Sequence, residues 1–218
     1  MKPLVGKFVT SVSAGSFVST DGLPVIALVG RSNVGKSSLI NTLVRKRVAR
    51  SGGKPGTTRL INLYRITTPS NDVRPFLLVD LPGYGYARGG IRTRQSFQNL
   101  TDSFFKQVTV GAPGPATGQV QLAGVLLVVD VRHPGLESDK EALAWISRQR
   151  YPVVVVATKA DRISRSMRTK MAKRHLEILH QSEDVSNSES PLLVTVSTET
   201  GENMSLLWKE LKRLLRLL

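Results

Sequence analysis

Residues 30–37 have the sequence GRSNVGKS, which fits the pattern G-x-x-x-x-G-K-[ST] of a phosphate-binding loop, or P-loop. An apolar, β-branched run precedes it and a helical pattern at residues 38–44 follows it. Glycines let such a loop wrap with its N–H groups pointing inward, and the helix N-terminus adds positive potential. Lys36 is expected to reach the β- and γ-phosphates, and Ser37 to ligate Mg²⁺. The stretch therefore predicts the strand, anion-binding loop and helix of a nucleotide-binding protein.

Apolar runs and helical patterns alternate along the rest of the chain. This alternation predicts an α/β fold with a mostly parallel, doubly wound sheet of about six strands and helices on both faces, and the P-loop assigns it to the P-loop NTPases. We expect one domain over residues 1–218, with a core at about 23–215 and an N-terminal extension, 1–22, packed on or near it. The predicted strands are 25–29, 76–79, 125–129, 153–157 and 192–196, and the predicted helices include 136–150, 164–180 and 204–218.

The amino-acid composition excludes several kinds of site and indicates a class of binding partner. Cysteine is absent and there are only three histidines, so disulfides, thiolate sites and a structural zinc site are excluded and any metal should be oxygen-bound. The 31 Lys and Arg residues against 16 acidic ones give a net charge of +15, which favours a polyanion such as RNA. The alternative is a basic surface that only aids solubility.

No run of about 18 apolar residues occurs, and the N-terminus lacks a signal-peptide pattern. We therefore expect a cytoplasmic protein without a membrane span. The closing segment 204–218 is basic and amphipathic. It is expected to pack on the sheet, with attachment to a membrane surface as the alternative.

Two further motifs follow predicted strands or lie between them. Residues 80–83, DLPG, place Asp80 where it can hold Mg²⁺ through water and Gly83 where its N–H can meet the γ-phosphate, as at the start of switch II. Between this motif and the P-loop lies KPGTTR at 54–59, in which Thr58 is the switch I candidate for completing Mg²⁺ coordination.

Residues 158–161, TKAD, predict selection of guanine. Asp161 can accept hydrogen bonds from the ring N–H and the exocyclic amine of guanine, while the stem of Lys159 covers the base. Adenine would leave this carboxylate unpaired, which is costly. An ATPase, the alternative, would require TKAD to be coincidental. The segment 196–198, after the last strand, lies where a backbone N–H contacts the guanine carbonyl.

Taken together, GRSNVGKSSLIN, KPGTTRLIN, DLPGYGYA, VVDVRH and TKAD resemble the EngB (YihA/YsxC) family of bacterial GTPases, in the Era-like group, over about residues 6–215. The resemblance implies a GTPase with a single G domain that acts, as a monomer, in assembly of the large ribosomal subunit and that is needed for division septum formation. The chain departs from the family pattern at Thr57, in a longer Gly/Pro loop near residue 114, and in Val-Ser-Thr at 196–198 where Phe-Ser-Ser is typical.

The resemblance also implies which residues bind GTP or GDP with Mg²⁺. Ser37, Thr58 and, through water, Asp80 would hold the metal, and the catalytic candidates are Lys36, Thr58, Gly83 and Asn33. The nucleotide would be bound by Gly30, Arg31, Ser32, Asn33, Val34, Gly35, Lys36, Ser37, Gly56, Thr57, Thr58, Arg59, Leu60, Asp80, Leu81, Pro82, Gly83, Thr158, Lys159, Ala160, Asp161, Val196, Ser197 and Thr198.

Two residues set expectations for the rate of hydrolysis. Tyr84 follows DxxG, where GTPases of the Ras type use a glutamine to orient water, so intrinsic hydrolysis should be slow. Asn33 occupies the position that holds a monovalent cation in potassium-activated relatives, which predicts stimulation by K⁺. The alternative is that Asn33 merely suits a tight left-handed loop.

The second functional hypothesis is an RNA-binding scaffold in which nucleotide is only a structural ligand. Arg45, Lys46, Arg47, Arg50 and Lys54 lie beside switch I and support it. Further basic runs at 88–94 and 162–174 would extend an RNA-facing surface or would simply be solvated helix exteriors.

Overall fold

The apolar β-branched runs form a single sheet. A computed structural model describes residues 4–13, 16, 19–49, 60–69, 73–84, 101–110, 120–180 and 191–218. In these ranges the strands are β1 Val5–Val12, β2 Val25–Gly30, β3 Ile61–Thr67, β4 Phe76–Asp80, β5 Val108–Val110, β6 Val120–Asp130, β7 Val153–Thr158 and β8 Leu192–Thr195. The helices are α1 Lys36–Val44, α2 Glu137–Arg148, α3 Arg165–His180 and α4 Met204–Leu215, with a 3-10 turn at Ala160–Arg162 and a helical segment at 101–105.

The strand order is β1-β3-β4-β2-β6-β7-β8, with β5 paired to β6. Strands β2 and β4–β8 are parallel, whereas β1 and β3 run antiparallel to their neighbours. The predicted α/β class is confirmed, but the described residues form eight strands where the sequence indicated about six. Strand β1 lies within the segment expected as an N-terminal extension, and as an edge strand it leaves Val5, Phe8 and Val9 exposed. Continuous apolar runs mark strands that are buried on both faces. An exposed edge strand such as β1 lacks this pattern and is therefore missed.

Each face of the sheet carries its own hydrophobic core. Side chains of β2 alternate, so that Ile26 and Leu28 join one core and Val25, Ala27 and Val29 the other. Helices α1 and α4 cover the first face, and α2, α3 and the segment 101–105 cover the second. The predicted placement of helices on both faces therefore holds.

The closing helix α4 buries its apolar face on the sheet. Leu207 and Leu211 have no exposed surface, and the Trp208 ring stacks on Phe76 at 6.2 Å between centroids. This packing explains why apolar residues recur every three or four positions in residues 204–215. Across the part of the chain that the structure describes, every helix is too short or too polar to span a membrane.

The parallel strands fix where the site lies. Strands β2, β4, β6, β7 and β8 all end at one edge of the sheet, because parallel strands share their direction. The predicted motifs at 30–37, 80–83, 158–161 and 196–198 begin at or directly follow these ends. In an open α/β sheet, ligands bind at this carboxyl edge.

Candidate nucleotide-binding site

The P-loop is a tight backbone cradle between β2 and α1. Asn33 and Gly35 adopt left-handed conformations, with φ of 61° and 113°. A Cβ at Gly30 would lie 2.4 Å from the Val128 carbonyl oxygen, so only glycine fits at the start of the loop. The Lys36 Nζ donates to the carbonyls of Gly30 and Arg31 at 2.9 and 3.3 Å. The Lys36 side chain therefore lies against the backbone of the P-loop, where it is expected to contact the phosphates.

Lys36, Ser37 and Asp80 form a buried polar group at the head of α1. The Ser37 hydroxyl donates to Asp80 Oδ2 at 3.0 Å, while Asp80 Oδ1 is buried without a hydrogen-bond partner among the described residues. Burial raises the pKa of Asp80, against the opposing effects of the Lys36 charge and the Ser37 hydrogen bond. Burial also lowers the pKa of Lys36, opposed by the Asp80 charge. Hydroxyl and carboxylate oxygens suit a hard divalent cation, and the unpartnered Oδ1 leaves room for a water-mediated contact with one.

The DLPG motif lies directly against the P-loop. The Ser32 N–H donates to the Tyr84 carbonyl at 3.1 Å, and Arg31 and Tyr84 form a parallel bridge. A Cβ on Gly83 would lie 2.5 Å from the Ser32 nitrogen, too close for any side chain. The structure thus brings the predicted γ-phosphate sensor into contact with the phosphate loop, with Leu81 and Pro82 buried between strand and loop.

Tyr84 is engaged by a carboxylate that sequence analysis did not identify. The Tyr84 hydroxyl donates to Asp139 Oδ1 at 2.9 Å, and Arg31 Nε lies 3.4 Å from the same oxygen. Burial, then the Asp139 charge and hydrogen bond, raise the pKa of Tyr84 well above its usual value. Burial also raises the pKa of Asp139, against the neighbouring Arg31. The sequence signal for Asp139 was only an acidic residue in the first turn of α2.

The TKAD segment is tied to the P-loop by side chains. The Thr158 hydroxyl lies 2.6 Å from the Val34 carbonyl oxygen and 3.0 Å from that of Val129. The Lys159 Nζ donates to the Asn33 carbonyl at 2.9 Å and forms an ion pair of 3.0 Å with Asp130. These contacts fix the lysine beside the phosphate loop.

Asp130, at the end of β6, is a second residue that motif analysis missed. Arg132 pairs with both of its oxygens, at 2.9 and 2.7 Å. Burial alone would raise the pKa of Asp130, but hydrogen bonds from Arg132 and Lys159 hold it far below the ordinary range. Its position in VVDVRH at a strand end was the signal available in the sequence.

The segment 196–198 lies beside TKAD. Ser197, fully buried, donates to Asp161 Oδ1 at 2.8 Å and accepts the N–H groups of Glu199 and Thr200 at 3.2 and 3.1 Å. The Ala160 N–H donates to the Val196 carbonyl at 3.1 Å. Ser197 thereby orients the carboxylate that is expected to contact guanine.

Two outer contacts hold the segment 196–198 in place. The Thr198 carbonyl accepts the Thr42 hydroxyl of α1 at 3.2 Å. An Arg168–Glu202 ion pair links the start of α3 to the loop that follows Ser197. Contacts from α1 on one face of the sheet and from α3 on the other thus hold the segment that is predicted to contact guanine.

Most predicted site residues converge on one edge of the sheet. Leu60 is described, directly before β3, with 41% of its surface exposed. The switch I candidates Gly56, Thr57, Thr58 and Arg59 lie outside the described residues, as do Arg50, Lys54 and the run 88–94. The residues that the structure brings together are those at 30–37, 80–83, 158–161 and 196–198.

Comparisons with known proteins agree with this geometry. The family model described as "50S ribosome-binding GTPase" matches residues 25–159. A probable GTP-binding protein EngB of Pelotomaculum thermopropionicum is 40% identical over 203 residues, covering 93% of this chain and 91% of the relative. The EngB protein of Geobacillus kaustophilus is 36% identical, with 94% of each chain covered.

Solved structures share the fold. The crystal structure of a probable GTP-binding protein engB superposes with a TM-score of 0.61 at 23% identity, covering 88% of this chain and 98% of that one. Era in complex with MgGDPNP and nucleotides 1506–1542 of 16S ribosomal RNA superposes with a TM-score of 0.65 at 24% identity, covering 87% and 56%. With the P-loop, DLPG and TKAD segments joined at one edge, the chain belongs to the EngB family of GTP-binding proteins, and it binds guanine nucleotide and hydrolyses GTP.

Proposed function

We propose that this GTPase is a slow, Mg²⁺-dependent switch that acts in the cytoplasm, as a monomer, in assembly of the large ribosomal subunit. The observation that carries the proposal is the contact of Gly83 with the Ser32 backbone. A γ-phosphate in the loop must meet the start of switch II there, so the nucleotide state changes the chain's surface at that point. The requirement for division septum formation would follow from this role.

Different residues would bind the phosphates, the metal ion and the guanine base. Lys36 would pair with the β- and γ-phosphates, whose negative charge would add to that of Asp80 in offsetting the cost of burying the lysine. Ser37 and, through water, Asp80 would hold Mg²⁺, which when bound neutralises charge on the phosphate oxygens. The Gly83 N–H would contact the γ-phosphate, and Thr58 would complete the metal site from switch I. Asp161, oriented by Ser197, would select guanine.

Slow hydrolysis is supported by the engagement of Tyr84. Its hydroxyl is hydrogen-bonded to Asp139 rather than directed to a water, so we assign it no part in activating the nucleophile. Asn33, with a carbonyl held by Lys159, would place a K⁺ ion against the phosphates. We expect GTP turnover to rise at least tenfold in KCl over NaCl at equal ionic strength. Equal rates in the two salts would contradict the role of K⁺.

The ribosomal partner is supported by the description of the matching family and by the net charge of +15. The Era structure shows that a related fold can be crystallised with ribosomal RNA. A strongly basic surface gains binding free energy from released counterions when it meets RNA phosphates. The alternative remains a scaffold that uses nucleotide only for stability, which the basic residues beside switch I would serve equally well.

Sedimentation with large ribosomal subunits tests the proposal. Purified protein is mixed with subunits at moderate salt, with a non-hydrolysable GTP analogue, with GDP, or without nucleotide. Association that depends on the analogue supports the switch. Equal association in all three states supports the scaffold, and no association in any state contradicts the ribosomal role. A Lys36→Ala variant serves as the control, because it should lose the dependence on the analogue.

A further inference from the structure

The turn that follows α1 presents three consecutive cations. Arg45, Lys46 and Arg47 are all exposed. Among the ion pairs between described residues, none involves these three side chains. The turn lies at the opposite end of α1 from the P-loop, and the switch I segment at 50–59 follows it in sequence. We call residues 45–47 the basic turn.

The backbone of the basic turn is held by one side chain. Asn41 donates to the Ala49 carbonyl at 2.9 Å and accepts the N–H groups of Val48 and Ala49 at 2.9 and 2.8 Å. The Lys46 N–H donates to the Asn41 carbonyl at 3.2 Å. The last turn of α1 thus fastens the chain on both sides of the three cations.

The ends of the basic turn are also anchored in the core. Val44 and Ala49 are 4% and 1% exposed, and both belong to the core beneath α1 and α4. Gly6 of β1 packs on Val44 so closely that a Cβ would lie 2.5 Å from the valine Cγ1. Arg45 ends the helix in the left-handed conformation, with φ of 50°, which turns the chain outward. The backbone carrying the cations is therefore ordered before any partner binds.

A preformed turn of three cations without an ion-pair partner among the described residues differs from an ordinary solvated helix face. Because its backbone is already fixed, a partner does not have to supply the free energy of ordering it. Like charges on adjacent residues repel one another, and a row of phosphates relieves that repulsion. Ribosomal RNA presents such a row.

We infer that the basic turn, residues 45–47, is a preorganised site for the phosphate backbone of ribosomal RNA, held in shape by Asn41. The inference rests on the proposed ribosomal function and adds the contact surface.

Removal of the three charges is the first test. The triple variant Arg45→Gln, Lys46→Gln, Arg47→Gln is compared with a control triple, Arg150→Gln, Lys209→Gln, Arg216→Gln, which removes the same charge from exposed positions outside the basic runs. Binding to large subunits and to isolated 23S rRNA is measured from 50 to 200 mM KCl, with GDP affinity as the check on folding.

We expect the basic-turn triple to weaken binding more than tenfold at 100 mM salt and to reduce the salt slope by about 2, at roughly 0.7 per lost phosphate contact. The control triple should stay within about threefold of wild type. Equal losses in the two triples, or no loss in the first, would overturn the inference. Weaker binding to large subunits with unchanged binding to isolated 23S rRNA would overturn the assignment to RNA.

Asn41 provides a test that leaves every charge in place. Asn41→Ala should weaken rRNA binding several-fold with the salt slope unchanged, because the cations remain but the turn is released. Asn41→Gln keeps an uncharged amide that can both donate and accept, and should restore part of the affinity. Unchanged affinity in Asn41→Ala, with GDP binding intact, would show that preorganisation plays no part. If the wild-type protein binds neither subunits nor rRNA, the proposed function itself fails, whatever the variants do.

Discussion

Asp80 combines a predicted metal-binding role with a buried position that opposes folding. One of its oxygens accepts the Ser37 hydroxyl, and the other is buried without a hydrogen-bond partner among the described residues. Its raised pKa means that the folded protein disfavours the charge when the metal is absent. A buried carboxylate in this condition opposes folding and favours binding of a cation.

We therefore predict that Asp80→Asn stabilises the nucleotide-free protein. The amide keeps the shape and can still accept from Ser37, while the buried charge, which the site disfavours even beside Lys36, disappears, so unfolding should cost about 1–2 kcal/mol more. For a chain of this size the melting temperature should rise by about 2–8 °C in differential scanning calorimetry. The same variant should lose the Mg²⁺ dependence of GTP binding, and a lower melting temperature would contradict the assignment.

Tyr84 leads to a different prediction, because its hydroxyl is used within the fold. Tyr84→Phe removes the hydrogen bond to Asp139 and should lower the free energy of unfolding by about 1–2 kcal/mol, while the rate of GTP hydrolysis should change less than threefold. Tyr151→Phe is the control, since the Tyr151 ring stacks on Phe105 and its hydroxyl forms none of the hydrogen bonds described. A large loss of turnover with unchanged stability would make Tyr84 catalytic instead.

The ends of β6 and β7 act together in forming the base side of the site. Asp130 is the last residue of β6, and Lys159 directly follows β7. Because β6 and β7 are adjacent strands that end at the same level, the two side chains lie close enough to form an ion pair. Lys159 then reaches the Asn33 carbonyl of the P-loop. His175 of α3, buried, lies 3.3 Å from the Asp130 carbonyl and fixes the same strand end from the other side.

We predict that the free energy of unfolding depends on pH through the ionised Asp130 side chain at the end of β6. The folded-state pKa of Asp130 is depressed, so its charged form contributes stability above its unfolded pKa, near 3.9, and that contribution is lost as the pH falls below it. Asp130→Asn should cost about 1–3 kcal/mol at pH 7. The difference from wild type should shrink between pH 4 and pH 2, as measured by urea unfolding. A difference that does not vary with pH would show that packing, not charge, is responsible.

The sheet with helices on both faces holds the four motifs at one edge while leaving the basic turn at the far end of α1. The predicted phosphate, metal and base contacts come from different loops, so a bound nucleotide would join segments that are distant in sequence. Thr158 contacts Val34 across 124 positions, and Tyr84 contacts Asp139 across 55. Binding of nucleotide should therefore stabilise the fold as a unit.

Thermal unfolding with ligands tests this coupling. GDP with Mg²⁺ at a hundred times its Kd should add about 2.7 kcal/mol to the free energy of unfolding, which corresponds to about 5–10 °C at this chain length. ADP at the same concentration should give no shift, because adenine leaves the Asp161 carboxylate unpaired. An equal shift with ADP would argue against selection of guanine by TKAD.

The sequence by itself determined the order of the motifs and the parallel centre of the sheet. Parallel strands are buried on both faces and appear as continuous apolar runs, and a P-loop must join a strand to a helix, so both can be recognised locally. The same reasoning located Asp80, Gly83 and Asp161, whose roles follow from their positions after strands.

Only the tertiary structure decided which other side chains complete the site. Strands β1 and β3 are held by pairing with each other and with β4, and their own sequences lack the continuous apolar pattern. Asp130 and Asp139 became part of the site through partners far away in sequence, and the Asn41 contacts showed that the basic turn is rigid. Local periodicity reports burial, whereas hydrogen bonds between distant residues depend on how the elements pack, which no single segment encodes.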